Sequence, residues 1–412
     1  MDGNVMFHCD KNVPETFGML AQTLFHMLPA CSEIHIVTDT YKDISIKSFE
    51  RNRRGHSDTF NIKGPATKVP KNFHQFLCSD SNKKQLIRLL LSEWSSDTYA
   101  PHLKSRKIFF VCEESCYSIS SQDGTNTDCQ TIMNLESSQE EADTRIVLHI
   151  DFLLQSNSNS NIVVRSTDTD VFILLLYFYC KQFKSSNLEI ILFDTGVGDK
   201  RKLVNIGKVA SSYPADLILA LPGFHAFSGC DSTSAFVRQG KLKPFRLLES
   251  NPNYHGSFQN LGSSVIVMED TKTEMGDFTC LMYGSNKIKS VDSLRFSKAK
   301  EKFSSKGSLI SADENTDLSL LPPCLNSLNL HVTRANYQAM IWKRVTESHP
   351  DVPAPVHNGW KFENDSLVID WGEEMFPREI TDVLEDNLGS DIDDDMEDDL
   401  YVDIPESYDS DE

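Results

Sequence analysis

Seven carboxylates in this chain stand where a strand, or the turn next to one, should end. Asp39 closes the β-rich run Glu33-Ile34-His35-Ile36-Val37-Thr38, and Asp168 and Asp170 close Ile162-Val163-Val164-Arg165-Ser166-Thr167. Asp2 lies in Met1-Asp2-Gly3-Asn4, Glu141 and Asp143 open a helical pattern, and Asp231 ends Ser228-Gly229-Cys230-Asp231. In a parallel α/β sheet the carboxyl ends of the strands share one rim, where ligands bind. Carboxylates gathered there repel one another unless cations lie between them. An all-oxygen donor set suits hard divalent ions, Mg²⁺ or Mn²⁺. Two such ions about 4 Å apart are a recurring arrangement for cleaving phosphodiesters. The pattern predicts an α/β fold with a mostly parallel, twisted sheet flanked by helices.

The 412 residues allow one large domain with extensions, or two domains. The net charge of −20 is not spread evenly: residues 373–412 hold 18 Asp and Glu against one Arg. The body is therefore near neutral, and local basic runs (Lys47–Arg54, Lys200–Lys202, Arg238–Arg246) leave nucleic-acid binding open. The 10 cysteines are dispersed and no leader pattern is seen, which predicts reduced thiols and a nuclear or cytoplasmic, non-secreted protein. Apolar runs such as Val171–Cys180 are too short to span a bilayer, so no membrane partner is expected.

Apolar spacing predicts helices over 13–29, 84–94, 171–182 and 334–347, with strands at 34–38, 108–111, 162–166 and 188–193. A basic helix is expected from Ser45 to Arg54 and a loop or arch over 55–80. The stretch 115–130 looks polar and turn-like. Both Ser137-x-x-Glu140 and Ser138-x-x-Glu141 fit a capping box ahead of the helix through Ile146 and Ile150. Between Leu242 and Asp317 the signal weakens to mixed short strands and loops. Tyr337, Ile341 and Trp342 can dock a helix on the domain, and 350–355 and 360–371 suggest a wrapping segment. Residues 1–250 are expected to form the main domain, 251–376 an extension that packs back on it, and 377–412 an acidic disordered tail.

Taken together, Glu141-Ala142-Asp143, the strand-ending Asp168-Thr169-Asp170 and Gly229-Cys230-Asp231 resemble the PIN-like 5′-nuclease superfamily, which includes the flap endonucleases. The resemblance covers roughly residues 1–250, and the 25 residues from Asp143 to Asp168 leave room for one helix and one strand. Asp39 followed by Lys47, Arg51 and Arg54 is similar to that family's strand-end Asp and phosphate-gripping helix. A narrower likeness is to uncharacterised, transposon-associated animal proteins carrying the segments Glu140–Arg145 and Gly223–Asp231. The resemblance implies a metal-dependent nuclease acting on DNA or RNA. Asp2, Asp39, Glu141 and Asp143 would hold one Mg²⁺ or Mn²⁺, and Asp168, Asp170 and Asp231 a second. Lys47, Arg51 and Arg54 would stabilise charge in the transition state.

Three departures stand against this pattern. The family places an apolar strand before its first Asp, and here only Met1 precedes Asp2. This predicts a truncated sequence, unpaired neighbouring backbone and Asp2 on a fraying terminus. Thr144 replaces a further acid of bacterial relatives, and Phe236–Lys241 holds one Gly where the family has Gly-x-Gly. A catalytically inactive interaction protein derived from a mobile-element nuclease is therefore the alternative. A dehalogenase-type phosphatase with Asp168 as nucleophile is the third reading.

Taken singly, these residues have plainer readings. Asp168-Thr169-Asp170 alone fits nuclease, phosphatase or helix cap equally. Asp39 alone is a turn cap, and Lys47–Arg54 a solvated helix face. Cys112-x3-Cys116 suggests a reduced hairpin rather than zinc. His225 is expected to pack or hydrogen-bond beneath the site, and Asp194 to form a turn. The acidic tail is expected to aid solubility, contact a basic partner or compete with nucleic acid. Tyr401–Ile404 before acids has the make-up of a short linear binding motif.

Overall fold

The computed structural model describes residues 1–7, 13–42, 45–48, 59–155, 160–186, 188–302, 304–306, 309–311, 318–363 and 366–372. Arg51, Arg54 and the acidic tail lie outside these residues. Met1–Asp370 is one compact unit and Trp371–Glu412 another. The first unit is mixed α/β.

Strand β1 (Glu33–Ile36) pairs in parallel with β2 (Lys107–Cys112), which continues antiparallel to β3 (Ser115–Ser120) and β4 (Asp128–Thr131). A second sheet pairs β5 (Ser160–Arg165) in parallel with β6 (Leu188–Thr195), and β6 antiparallel with β7 (Lys202–Asn205). Between the two sheets lie Met1 and Asp2. Val37 donates its N–H to Met1 O at 3.0 Å, Gly3 donates to Val37 O at 2.7 Å, and Asp2 donates to Arg165 O at 2.9 Å. This two-residue stub makes a parallel bridge to Val37 and ties β1 to β5. Asp2 is therefore not on a fraying terminus as expected: it is bonded on both sides and only 6% exposed.

The two-residue period of β2 explains the layers around the first sheet. Ile108 and Phe110 face the cluster formed by helices α1 (Phe17–His26) and α2 (Asp80–Trp94), where Leu24, Phe25, Leu90 and Trp94 pack. Phe109 and Val111 face the opposite cluster with Ile146 and Ile150 of helix α3 (Ala142–Gln155). Helix α4 (Thr169–Lys181) follows β5. Helix α5 (Ala215–Ser228) is buried on nearly every side, which suits its almost wholly apolar sequence. Gly223 lets it approach closely: a Cβ there would lie 2.2 Å from Phe258 O.

Several expectations change. Among the described strands only β1–β2 and β5–β6 pair in parallel; the other strand pairs, with the hairpins β8–β9 (Ser304–Lys306, Leu309–Ser311) and β10–β11 (Trp360–Glu363, Ser366–Ile369), are antiparallel. The stretch 115–130 contributes β3 and the start of β4, because Cys116 and Ile119 are buried against β2. Residues 242–302 are mainly helical, at 242–250, 255–260, 269–282 and 291–302. Tertiary packing of Phe258, Met275 and Phe278 on α5 supplies the stability that the weak local pattern conceals. Helix α6 (Leu325–Lys343) starts earlier than its predicted boundary and buries Trp342 as expected. Its Tyr337 hydroxyl donates to Pro353 O at 2.8 Å, and its Arg334 donates to Asp370 O at 2.9 Å.

Candidate metal centre

Strand β5 ends at Arg165 and α4 begins at Thr169, so Asp168 is delivered as the helix N-cap. Its Oδ1 accepts the Asp170 N–H at 2.8 Å. Ser166 joins this turn to the stub: its Oγ accepts the Asp168 N–H and donates to Asp2 Oδ2, each at 3.1 Å. Asp143 sits in the first turn of α3. That helix is capped from a distance, because the Ala142 N–H donates to Asp39 Oδ1 at 2.8 Å. Neither capping box forms: Ser137 Oγ donates to Ser348 O, and Glu140 accepts from Ser45 Oγ.

Two strand ends and one helix start thereby converge. One carboxylate oxygen each from Asp143, Asp168 and Asp170 lies within 4.8 Å of the others. Ligands on opposite sides of one Mg²⁺ are about 4.2 Å apart, so small side-chain rotations would let these oxygens share an ion. Asp143, expected alongside Asp2, Asp39 and Glu141, thus also lies close to Asp168 and Asp170. Glu141 and Asp231 meet instead at Lys47, whose Nζ is 3.6 Å from Glu141 Oε2 and 3.5 Å from Asp231 Oδ2. Asp2 and Asp39 complete the acidic rim through Ser166 and Ala142.

The electrostatics are those of a crowded anionic site. Burial, then Asp168, Glu141, Asp2 and Asp39, push the Asp143 pKa well above the carboxylate range. Burial raises Glu141 to about 7, with Asp170, Glu140 and Asp39 adding to it and Lys47 opposing. Burial and Asp170 raise Asp168. Burial pulls the Lys47 ammonium down, but Glu141, Asp231, Asp143 and Asp170 outweigh it and hold its pKa above the ordinary lysine value. A divalent cation would relieve the repulsion that raises these carboxyls, and the all-oxygen donor set fits one.

Asp170 behaves differently. Burial raises it, but His225 and the nearby Lys47 and Lys241 prevail, and its pKa falls below the ordinary value. His225 Nε2 lies 2.7 Å from Asp170 Oδ1, and Lys241 Nζ lies 3.0 Å from His225 Nδ1. A carboxylate only accepts, so His225 donates to Asp170 from Nε2, while Lys241 Nζ, also 3.3 Å from Nε2, lies over the imidazole ring. His225 thus sits beneath the site as expected. Lys241 and Ser166 escaped the sequence reading: nothing in a single polar side chain on a loop shows that it will fold under a carboxylate. Asp194 is not a turn former. It ends β6 buried between Arg165 and Arg201, at 3.1 and 2.6 Å. Cys112 and Cys116 flank the β2–β3 turn as free thiols.

No helix among the described residues is long and apolar enough to cross a membrane. No protein-family model matches the chain, and neither curated proteins nor solved structures provide a match.

Proposed function

We propose that the chain is a divalent-metal-dependent phosphodiester hydrolase acting on DNA or RNA, with the PIN-like 5′-nuclease arrangement its residues resemble. The observation that carries this reading is the meeting of Asp143, Asp168 and Asp170 at the carboxyl end of β5, beside the half-buried cation Lys47. Mg²⁺ or Mn²⁺ held there would activate water and offset charge on the cleaved phosphate. The protein side of the reaction is positioning. Asp168 is fixed by its cap bond, Asp170 by His225, and Asp143 by the rigid start of α3. Lys47, held by two carboxylates, presents positive charge to an incoming phosphate and can shift from Glu141 toward it.

The test is Mn²⁺-dependent cleavage of flap, single-stranded and duplex substrates by the full chain and by an Asp168→Ala plus Asp170→Ala double variant. Cleavage of at least one substrate, lost in the double variant, is the expected result. Cleavage that survives the double variant assigns the activity elsewhere. The alternative, an inactive interaction protein, draws support from Lys47 itself, a tethered cation already bridging Glu141 and Asp231. It predicts no cleavage in any metal and no thermal stabilisation by Mn²⁺.

A further inference from the structure

Glu141 and Asp231 stand outside the close group of Asp143, Asp168 and Asp170, and both face one ammonium. That ammonium belongs to Lys47, whose side chain is 19% exposed. The turn that carries it is fixed at both ends. The Ser45 N–H donates to Ser48 Oγ at 2.8 Å, and the Ser48 N–H donates to Ser45 Oγ at 2.9 Å, a reciprocal cap over the helical residues 46–48. Ser45 Oγ also donates to Glu140 Oε1 at 2.7 Å, next to Glu141 in the chain. Ile46 is buried in one cluster with Tyr337, Trp360 and Leu367.

The far side of the bridge is anchored to the same helix. Ser232, the neighbour of Asp231, donates from Oγ to Gln338 Oε1 at 2.6 Å. Tyr337 and Gln338 are consecutive on α6, which therefore seats Lys47 through Ile46 and Asp231 through Ser232. Glu141 reaches the ammonium from the entry to α3. Asp143 and Asp170 also lie within reach of its charge, so Lys47 borders the triad as well as the bridge. A divalent ion bonded to Glu141 and Asp231 would stand about 2.1 Å from their oxygens. It would share both carboxylates with a tethered cation of like sign, and the two would repel.

On the basis of the metal centre described above, we propose that the site takes one divalent ion, at Asp143, Asp168 and Asp170. The Lys47 ammonium is its built-in second cation, standing where a second metal would bridge Glu141 and Asp231. Helix α6 acquires a task in this arrangement: it holds both ends of the bridge and so keeps a fixed positive charge beside the ion. Removing one partner of an enclosed ion pair leaves the other charge uncompensated. Loss of the ammonium should therefore open the Glu141 and Asp231 oxygens to a second divalent ion.

The test is Mn²⁺ titration of the full chain, with calorimetry to count the ions and electron paramagnetic resonance to detect coupling between them. The parent is expected to bind one Mn²⁺ with the resolved hyperfine spectrum of an isolated ion. Lys47→Met keeps the apolar stem and removes the charge, and it should bind two, with the broadened spectrum of ions about 4 Å apart. Lys47→Arg keeps the charge and should bind one. Two coupled ions in the parent would overturn the proposal and leave the metal centre standing. A single ion in folded Lys47→Met would also overturn it; should that variant fail to fold, the parent's own ion count decides. No Mn²⁺ bound by the parent removes the proposal together with the metal centre. One ion in the parent without cleavage of any nucleic acid supports the proposal and removes the nuclease reading.

Discussion

Asp39 and Ala142 are 103 residues apart in sequence, yet the Ala142 N–H donates to the Asp39 carboxylate at 2.8 Å. One side chain therefore closes the end of β1, caps α3 and adds charge beside Asp143. The cap and the charge can be separated. Asp39→Asn keeps an acceptor for the helix and should cost little stability, whereas Asp39→Ala should lose about 1 kcal/mol in urea denaturation. Both should weaken Mn²⁺ binding. If the Ala and Asn variants unfold at the same urea concentration, the cap contributes nothing.

Metal binding should appear as stabilisation. Mn²⁺ at a hundredfold excess over its Kd should add about 2.7 kcal/mol, read as a rise in Tm. Asp170→Asn should abolish the rise without unfolding the protein, because α4 is capped by Asp168 rather than by Asp170. An unchanged Mn²⁺ response in this variant removes Asp170 from the site.

Glu141 predicts a pH dependence of defined sign. Its pKa is raised in the fold from 4.5 to about 7. The folded protein thus holds this proton more tightly than the unfolded chain. The associated stability is present in full below about pH 4.5 and is lost as the pH climbs through about 7. At 1.36 kcal/mol per unit the loss is about 3 to 4 kcal/mol, with the opposing effect of Lys47 already included in the shift. Glu141→Gln keeps the neutral form at all pH values. Its Tm should exceed that of the parent at pH 8 but not at pH 4.5, in the absence of metal. A parent-like pH profile for this variant would contradict the shift.

His225 should act through Asp170. Replacing it with Leu removes the 2.7 Å bond that orients the carboxylate and frees Lys241 to move onto Asp170. Groups that orient metal ligands typically matter by 10- to 100-fold in affinity, the weakening expected in Mn²⁺ titration. His225→Gln retains an amide donor and should recover part of it. Equal affinities across parent, Leu and Gln would make His225 a packing residue only.

Arg145 is a structural test of the same region. It is fully buried and donates to Glu113 O, to Glu114 O at 3.1 Å and to Thr40 Oγ1 at 3.1 Å. It thereby fastens α3 to the β2–β3 turn. Arg145→Ala would strand these acceptors and leave a cavity, for a loss of about 3 kcal/mol or more in denaturant. A loss under 1 kcal/mol would mean that water replaces the guanidinium.

Periodicity alone located β1, β2, β5, β6 and the helices that start near Asp80, Ala142 and Thr169, because apolar spacing is a local property of the chain. It also placed Asp168 and Asp170 at a strand end, and Asp143 at a helix start. The closeness of Asp143 to Asp168 and Asp170 was not legible. It depends on how α3 docks against β5, which is set by contacts remote in sequence. The helices between Leu242 and Lys302 were missed for a related reason: their stability comes from tertiary burial, not from their own pattern. The capping boxes failed because a Ser-x-x-Glu spacing shows what a cap could be, while Asp39 was already in place to provide one. Sequence determined which side chains were available and which segments would be strands or helices. Only the tertiary structure decided which carboxylates meet, because the distance between side chains on separate elements is fixed by packing and not by propensity.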